Sequence, residues 1–321
     1  MTPHYCPGRP SLPNKETMPT VSVIMNCLNC ARYLREAIDS VYAQTFKDWE
    51  IVFWDNASSD SSAEIVRDYD DRLRYFRGTE TIPLGAARNE ALKQTRGQFV
   101  AFLDCDDIWM PDKLQSQVPL FDDPEVGLVF SDAEYFDGKK SIRLYATRPY
   151  YTGWCFGDMF SDYFLNMQTV VIRHGALADL DEWFDPALHV NEEADLFIRI
   201  AYGWKTAMVD RPLARWRVHA ASDSWTKRHL FAEEFSGMLD KYKGRFPDFE
   251  ENYGKEIRRC QRQIDMMQAT CFLSQGEGAR ARKYLYSHVW TSPKAVLGLL
   301  VSFLPQKAYF FLNRFRNRME A

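Results

Sequence analysis

Several features that would assign a function class are missing from this 321-residue chain. It has no run of eighteen apolar residues, so the sequence predicts no transmembrane helix. No G-x-G-x-x-G follows the first predicted strand, which disfavours a dinucleotide-dependent oxidoreductase. A net charge of −4 gives no reason to expect nucleic acid as a partner. Residues 1–18 carry four Pro and lack the layout of a signal peptide, so we expect a disordered leader there.

The cysteines are an odd and widely scattered set of seven, which favours a reducing compartment over a disulfide framework. Cys27 and Cys30 have the spacing of a redox or metal pair, but no second pair lies nearby, and we disfavour that interpretation. We therefore expect a cytoplasmic protein, with peripheral association at the inner face of the cell membrane as an open alternative.

Strand and helix patterns alternate over the first hundred residues after the leader. This alternation predicts a parallel sheet with crossover helices, in which polar residues that follow the strands converge on one crevice. The predicted strands are 21–25, 49–54, 73–77 and 98–103, and the predicted helices are 31–44, 61–69 and 86–94.

Carboxylates are concentrated directly after the last of these strands. The apolar run 99–103 ends in Asp104, Asp106 and Asp107, at the carboxyl end of a strand, where open α/β sheets bind ligands. Neighbouring carboxylates repel each other unless a cation lies between them. The pattern therefore favours Mg²⁺ or Mn²⁺, which bind to one or two protein carboxylates and also hold substrate phosphates.

Seven segments in a fixed order resemble the motifs of family 2 glycosyltransferases. The resemblance implies an α/β GT-A fold, a Rossmann-like mixed sheet flanked by helices, with a C-terminal helical extension. It also implies an inverting enzyme that moves a sugar from a nucleotide diphosphate to a hydroxyl in bacterial polysaccharide or lipid-linked glycan synthesis. The segments are 21–29, 40–45, 50–60, 85–89, 102–114, 192–199 and 215–219.

By this resemblance, Asp106 is the direct metal ligand, and Asp104 assists the metal or holds the ribose. His219, in the Arg-x-His element, approaches the metal or the diphosphate, with an ordinary core or surface histidine as the alternative. The resemblance thus implies Mn²⁺ or Mg²⁺ as cofactor.

The resemblance also places nucleotide contacts on the first two crevice loops. Cys27 and Asn29 follow the first strand, and Asp55 and Asn56 follow the second. Asn56 stands where many members have an Asp that binds uracil, so a UDP-sugar is favoured only weakly. Two arginines are implied to reach the diphosphate, Arg88 and Arg217, and for Arg88 the alternative is a solvated helix face.

An inverting transfer needs a carboxylate that accepts the proton of the attacking hydroxyl. Alignment on the acidic motif puts this base at Glu193, with Glu192 raising its proton affinity if both are desolvated. An acidic pair at a helix start also complements the helix dipole, so capping is the alternative role.

The predicted organisation is a GT-A domain over 19–228, with a donor half (19–125) and an acceptor half (126–228). A helical extension (229–290) and an amphipathic segment (291–321) follow, and the last of these lies on a membrane surface or packs as a plain helix. The acceptor is a saccharide or a lipid-linked glycan, and a homodimer is left open. The alternative function is a non-catalytic GT-A-like module that binds nucleotide or glycan in a complex.

Overall fold

The structure is a computed structural model that describes residues 18–136, 141–146, 148–218, 227 and 229–304. The predictions for the leader up to residue 17, for His219 and for residues 305–321 lie outside these described residues.

One mixed sheet organises the fold, in the order β3-β2-β1-β4-β8-β6-β9-β5, with β7 paired to β6. Strands β1 to β4 run parallel to each other, β8 is antiparallel to β4 and to β6, β9 is parallel to β6, and β5 is antiparallel to β9. The strands are β1 Val21–Cys27, β2 Trp49–Asp55, β3 Leu73–Arg77, β4 Phe99–Phe102, β5 Ile108–Trp109, β6 Val126–Phe136, β7 Ser141–Arg143, β8 Val171–Arg173 and β9 Lys205–Arg217.

The central strands are apolar because both of their faces are covered. Six of the seven residues of β1 are buried, and so are all four of β4. Strands buried on both faces read as nearly continuous apolar runs rather than as alternating patterns. This is why the predicted strands of the donor half agree with the structure to within one or two residues.

Helices cover the two faces of the sheet and enclose two large apolar clusters. The helices of the domain are α1 Ala31–Tyr42, α2 Ser62–Val66, α3 Leu84–Leu92, α4 Lys113–Gln117, α5 Phe156–Ser161, α6 His174–Ala178 and α7 Glu192–Gly203. The predicted helices 31–44 and 86–94 correspond to α1 and α3, displaced by about one half-turn at their ends.

The C-terminal region is helical, as predicted, and part of it packs on the domain. Its helices are α8 Leu230–Arg245, α9 Phe249–Asn252, α10 Gly254–Ser274, α11 Gly278–Leu285 and α12 Pro293–Val301. The Tyr242 hydroxyl of α8 donates to Asp195 Oδ1 of α7 at 3.2 Å, and Lys241 Nζ lies 3.6 Å from Asp195 Oδ2. None of the helices within the described ranges is both long and apolar enough to cross a bilayer.

Candidate active site

A cleft of about 850 Å³ opens at the carboxyl ends of β1 and β4, where the sequence predicted the crevice. This volume is within the range of small-molecule sites. The donor half, the start of α7 and the helical extension all contribute to its walls. The lining residues include Asn26, Asn29, Arg88, Asp104, Asp106, Tyr163, Asn191, Glu192, Glu193, Phe231, Phe235 and Met267.

The aspartates after β4 are divided between the cleft and the protein interior. Asp104 and Asp106 line the cleft, whereas Asp107 is buried and its Oδ1 accepts the backbone N–H of Arg217 at 2.8 Å. Burial, together with Asp106 and Asp104, raises the pKa of Asp107 well above its usual value. Asp107 does not begin the following helix: α4 begins at Lys113 and has Asp112 at its N-cap.

Arg88 joins the two halves of the cleft, and it is not the solvated helix residue of the alternative interpretation. It is 4% exposed, its Nη1 donates to Glu192 Oε1 at 2.7 Å, and its Nη2 lies 3.3 Å from Asp104 Oδ1. Partial burial raises the pKa of Asp104, Arg88 opposes that shift, and Asp106 adds to it. One cation therefore holds together the carboxylates of Asp104, which follows β4, and Glu192, which begins α7.

Glu193 lines the same cleft at the start of α7. Burial raises its pKa to about 8, Arg88 opposes the shift, and Glu192 and Asp104 add to it. The neighbouring Glu192 is buried, and its Oε2 has no hydrogen-bond partner among the described residues. A carboxyl group whose pKa is near the working pH can both accept and release a proton there, as a general base must.

Three of the predicted nucleotide contacts lie beneath the cleft lining. Asp55 is fully buried and accepts hydrogen bonds from Ser58 N and from Arg77 Nη1, both at 2.7 Å. Asn56 is held through its side chain by the backbone N–H and carbonyl of Ile82. Cys27 is also buried, and only Asn29 of the two predicted contacts after β1 reaches the lining.

The cysteines differ from the sequence prediction, in which none is paired. Cys27 and Cys30 form a disulfide with a Cα–Cα distance of 5.8 Å, which connects the end of β1 to the N-cap of α1. Cys105 lies close to this pair, with the three sulfur atoms within 4.8 Å of one another. The C-x-x-C spacing of Cys27 and Cys30 is the one feature of the sequence that indicated this pair. The scattered positions of the other cysteines favoured the opposite prediction of free thiols.

Arg217 supports the aspartate loop instead of pointing its charge into the cleft. Its Nε donates to the Asp106 carbonyl at 2.9 Å, and its Nη2 lies 2.5 Å from Glu36 Oε2. His219, two residues further on, lies outside the described residues.

The helical extension contributes residues that the sequence interpretation missed. Phe231, Phe235 and Met267 line the cleft, and Glu234 accepts backbone hydrogen bonds from the loop that precedes α7. In the sequence these residues belong to ordinary amphipathic helices, and no motif distinguishes them.

Comparison with known proteins identifies the class to which this fold and cleft belong. The sequence profile of glycosyl transferase family 2 matches residues 22–178. A glycosyltransferase of Rickettsia prowazekii is 35% identical over 239 residues, which are 70% of this chain and 72% of the relative. The chain therefore belongs to glycosyltransferase family 2, and it is an enzyme of glycosyl transfer.

Other relatives match over shorter regions. A glycosyltransferase of Rickettsia typhi is 35% identical, but the match spans only 41% of that relative and 41% of this chain. The Escherichia coli glucosyltransferase WfgD is 32% identical over 123 residues, which are 38% of this chain and 49% of WfgD.

Solved structures confirm the GT-A fold. Residues 1–349 of Staphylococcus aureus TarS, in complex with UDP-GlcNAc, align with a TM-score of 0.56 and 19% identity over 90% of this chain and 91% of that one. The mannosyltransferase PcManGT of Pyrobaculum calidifontis, in complex with GDP-Man and Mn²⁺, aligns with a TM-score of 0.60 and 19% identity over 92% of this chain and 84% of that one.

Proposed function

We propose that this enzyme transfers a sugar, with inversion, from a nucleotide diphosphate sugar to a hydroxyl of a saccharide or lipid-linked glycan. The observation that carries the proposal is the Arg88 bridge, which brings Asp104 and Glu192 into one cleft with Glu193 beside them. A donor-side carboxylate and an acceptor-side carboxylate are thus within reach of a single substrate pair. The intact set of acids argues against the alternative of a non-catalytic binding module.

The donor side fits a divalent cation. Asp104 and Asp106 both present carboxylates to the cleft, and the pKa of Asp104 is raised first by burial and further by the neighbouring Asp106, while Arg88 opposes the shift. Mg²⁺ and Mn²⁺ prefer such oxygen ligands and need only one or two of them from the protein. Asp106 would hold the metal with help from Asp104, and the metal would neutralise the charge that develops on the leaving diphosphate.

The chain's own residues perform the proton transfer and the positioning. Glu193 accepts the proton of the acceptor hydroxyl while the hydroxyl oxygen attacks the anomeric carbon of the donor sugar. The attack comes from the face opposite the diphosphate. Glu192 raises the basicity of Glu193 and is itself held by Arg88. Asn29 is part of the cleft lining and would contact the nucleotide. Outside the lining, the loops that follow the strands would be held in position by Cys27, Asp55, Asn56 and Arg217.

The donor nucleotide is proposed to be UDP. Two similar proteins are associated with uridine donors, UDP-GlcNAc in the TarS complex and UDP-Glc in the full name of WfgD, whereas PcManGT was solved with GDP-Man and Mn²⁺. Asn56 is compatible with several bases, because a carboxamide both donates and accepts.

The acceptor is proposed to be a glycan carried on lipid, at a membrane surface. The name of WfgD specifies a diphosphoundecaprenol acceptor. In this chain, α12 exposes Leu297 and Leu300 at 62% and 64%, within the predicted amphipathic segment 291–321. A homodimer stays a prediction that no contact within the described ranges addresses.

A panel of nucleotide sugars, with Mn²⁺, Mg²⁺ or EDTA, tests the proposal by calorimetric binding and by release of nucleoside diphosphate. We expect at least one donor to bind with metal and to be hydrolysed slowly without an acceptor. If no nucleotide sugar binds in the presence of either metal, the proposed function is wrong.

A further inference from the structure

The N-terminus of α7, which carries the proposed base, is held by a different part of the chain. The first N–H groups of a helix have no partner within the helix. Asn191 is at the N-cap of α7, but its side chain makes no capping hydrogen bond. The N-cap residue and the two residues before it instead bond through their backbone N–H groups to a side chain outside the helix.

That side chain belongs to Glu234 of α8, and its carboxylate is the acceptor. Its Oε1 accepts the backbone N–H of His189 at 2.8 Å, and its Oε2 accepts those of Val190 and Asn191, both at 3.1 Å. Three backbone donors thus converge on one anion, at the end of a helix where the dipole also favours negative charge.

The side chain of Asn191 makes a second connection to the same turn of α8. Its Nδ2 donates to the Phe231 carbonyl at 3.1 Å and lies 3.4 Å from Glu234 Oε2. The peptide that leads directly into Glu192 and Glu193 is therefore fixed through both its backbone and its side chain.

Within the part of the chain that the structure describes, Glu193 has no comparable support of its own. Among the described side chains, none hydrogen-bonds to its carboxylate, whereas Glu192 is held by Arg88. The backbone position of Glu193 therefore sets which part of the cleft its carboxylate can reach. A displacement of about 1 Å at a reacting group can reduce a rate by about 100-fold.

We propose that Glu234 is a positioning residue, which fixes the 189–191 backbone and thereby aims the carboxylate of Glu193 at the acceptor hydroxyl. This inference rests on the proposed function, because it takes Glu193 as the base. It also makes the helical extension a working part of the catalytic site rather than an appendage.

The test compares Glu234→Gln with a matched control, Glu233→Gln. The Glu234→Gln substitution keeps the shape of the side chain but places an amide N–H against the backbone donors. Glu233 is exposed on the same helix. The Glu233→Gln variant removes the same charge, so it shows any general effect of that loss on kcat. Glu234→Asp retains the anion on a shorter stem and should recover part of the rate.

We expect Glu234→Gln to lower kcat roughly 10- to 100-fold while the Kd for UDP with Mn²⁺ stays at the wild-type value. A merely structural role would instead lower donor affinity and kcat together. A wild-type kcat for Glu234→Gln, or a parallel loss of UDP affinity, would overturn the proposal. If Glu234→Gln does not fold, the comparison of Glu234→Asp with Glu233→Gln gives the same decision.

A double variant separates this proposal from the assignment of the base. If Glu234 acts through Glu193, the Glu193→Gln/Glu234→Gln enzyme is no slower than Glu193→Gln alone, since interacting residues are non-additive. If the double variant shows the product of the two single-variant losses in kcat, Glu234 does not act through Glu193, and the assignment of Glu193 as the base still stands. Full turnover by Glu193→Gln would instead refute the base.

Discussion

Arg88 and Glu192 are 104 residues apart in sequence, yet Nη1 and Oε1 lie 2.7 Å apart in a buried ion pair. Both side chains are 5% exposed. Because the same guanidinium also contacts Asp104, this pair fixes the separation between the two acidic groups of the cleft. The geometry of the site depends on this one cation.

Arg88→Ala should therefore damage both stability and activity. Removing one partner of a buried ion pair leaves an uncompensated charge, which typically destabilises by about 3–5 kcal/mol. The pKa of Glu193 should also rise further, since Arg88 is the group that lowers it. Denaturant unfolding and the pH dependence of kcat measure the two effects.

Arg88→Lys is the informative companion variant. A lysine keeps the charge but cannot form the two directional contacts of the guanidinium. We expect it to fold better than Arg88→Ala and still to transfer slowly. Wild-type kcat in Arg88→Lys would show that charge alone suffices at this position.

The raised pKa of Glu193 predicts how the rate of transfer depends on pH. If Glu193 is the base, as proposed, it must be ionised to accept a proton, so transfer should increase as pH rises and level off above a pKa of about 8. A divalent cation bound in the cleft would favour the ionised carboxylate and would move this midpoint to lower pH. Glu193→Gln should lower kcat roughly 10²- to 10⁴-fold and leave UDP binding intact.

The same residue affects stability with a defined sign. The folded-state pKa of about 8 lies above the ordinary value of 4.5, so Glu193 contributes stability in its protonated form, and this is lost as pH rises from about 4.5 to 8. Glu193→Gln should unfold with a weaker dependence on pH over that window. An unchanged pH dependence would mean that Glu193 is not perturbed in the folded enzyme.

Asp106 predicts the metal dependence of donor binding. Asp106→Asn removes the carboxylate charge in the cleft and should abolish the Mn²⁺-dependent part of UDP binding, as EDTA should in the wild-type enzyme. Asp112→Asn is a suitable control, because Asp112 lies at the N-cap of α4 and pairs with Arg211 outside the cleft lining. UDP binding by Asp106→Asn with a normal Mn²⁺ dependence would contradict the assignment.

Local patterns were sufficient to predict strands β1 to β4, because β1, β2 and β4 are almost entirely buried apolar runs and the edge strand β3 alternates between buried and exposed residues. That β1 and β4 end at the same edge of the sheet follows from their parallel pairing, and this brings Asn29, Asp104 and Asp106 together. Contacts between distant helices leave no such pattern. Nothing near Glu234 indicates that it binds to the loop before α7, and nothing near Arg88 indicates that its partner is Glu192.

Helix α12 predicts binding to anionic membranes. Leu297, Leu300 and Phe303 are exposed at 62%, 64% and 65%, while Ala295 on the other side of the helix is buried. The sequence that follows adds four cations and one acid over residues 305–321. Apolar contact and attraction to anionic lipid reinforce each other in such segments.

The measurement is co-sedimentation with vesicles of phosphatidylglycerol and phosphatidylcholine. Leu297→Glu/Leu300→Glu should lose vesicle binding, whereas Ile142→Glu, at a 53% exposed site on β7, should retain it. Vesicles of phosphatidylcholine alone, or high salt, should weaken binding of the wild-type protein. Equal binding by the double variant would exclude this face as the membrane contact.

The disulfide between Cys27 and Cys30 predicts a redox-dependent stability. The cross-link closes a short loop between β1 and α1, and in the chain-entropy model a ring of this size stabilises by about 2 kcal/mol. Dithiothreitol, or the Cys27→Ser/Cys30→Ser variant, should therefore lower the free energy of unfolding by about that amount. Cys271→Ser, which removes an unpaired thiol on α10, should leave the free energy of unfolding unchanged.

Alkylation before and after reduction shows whether Cys27 and Cys30 are paired. The products are read by mass spectrometry on the tryptic peptide that contains both cysteines. If both are alkylated without reduction, the pair is a dithiol under those conditions, and reduction should then have no effect on unfolding.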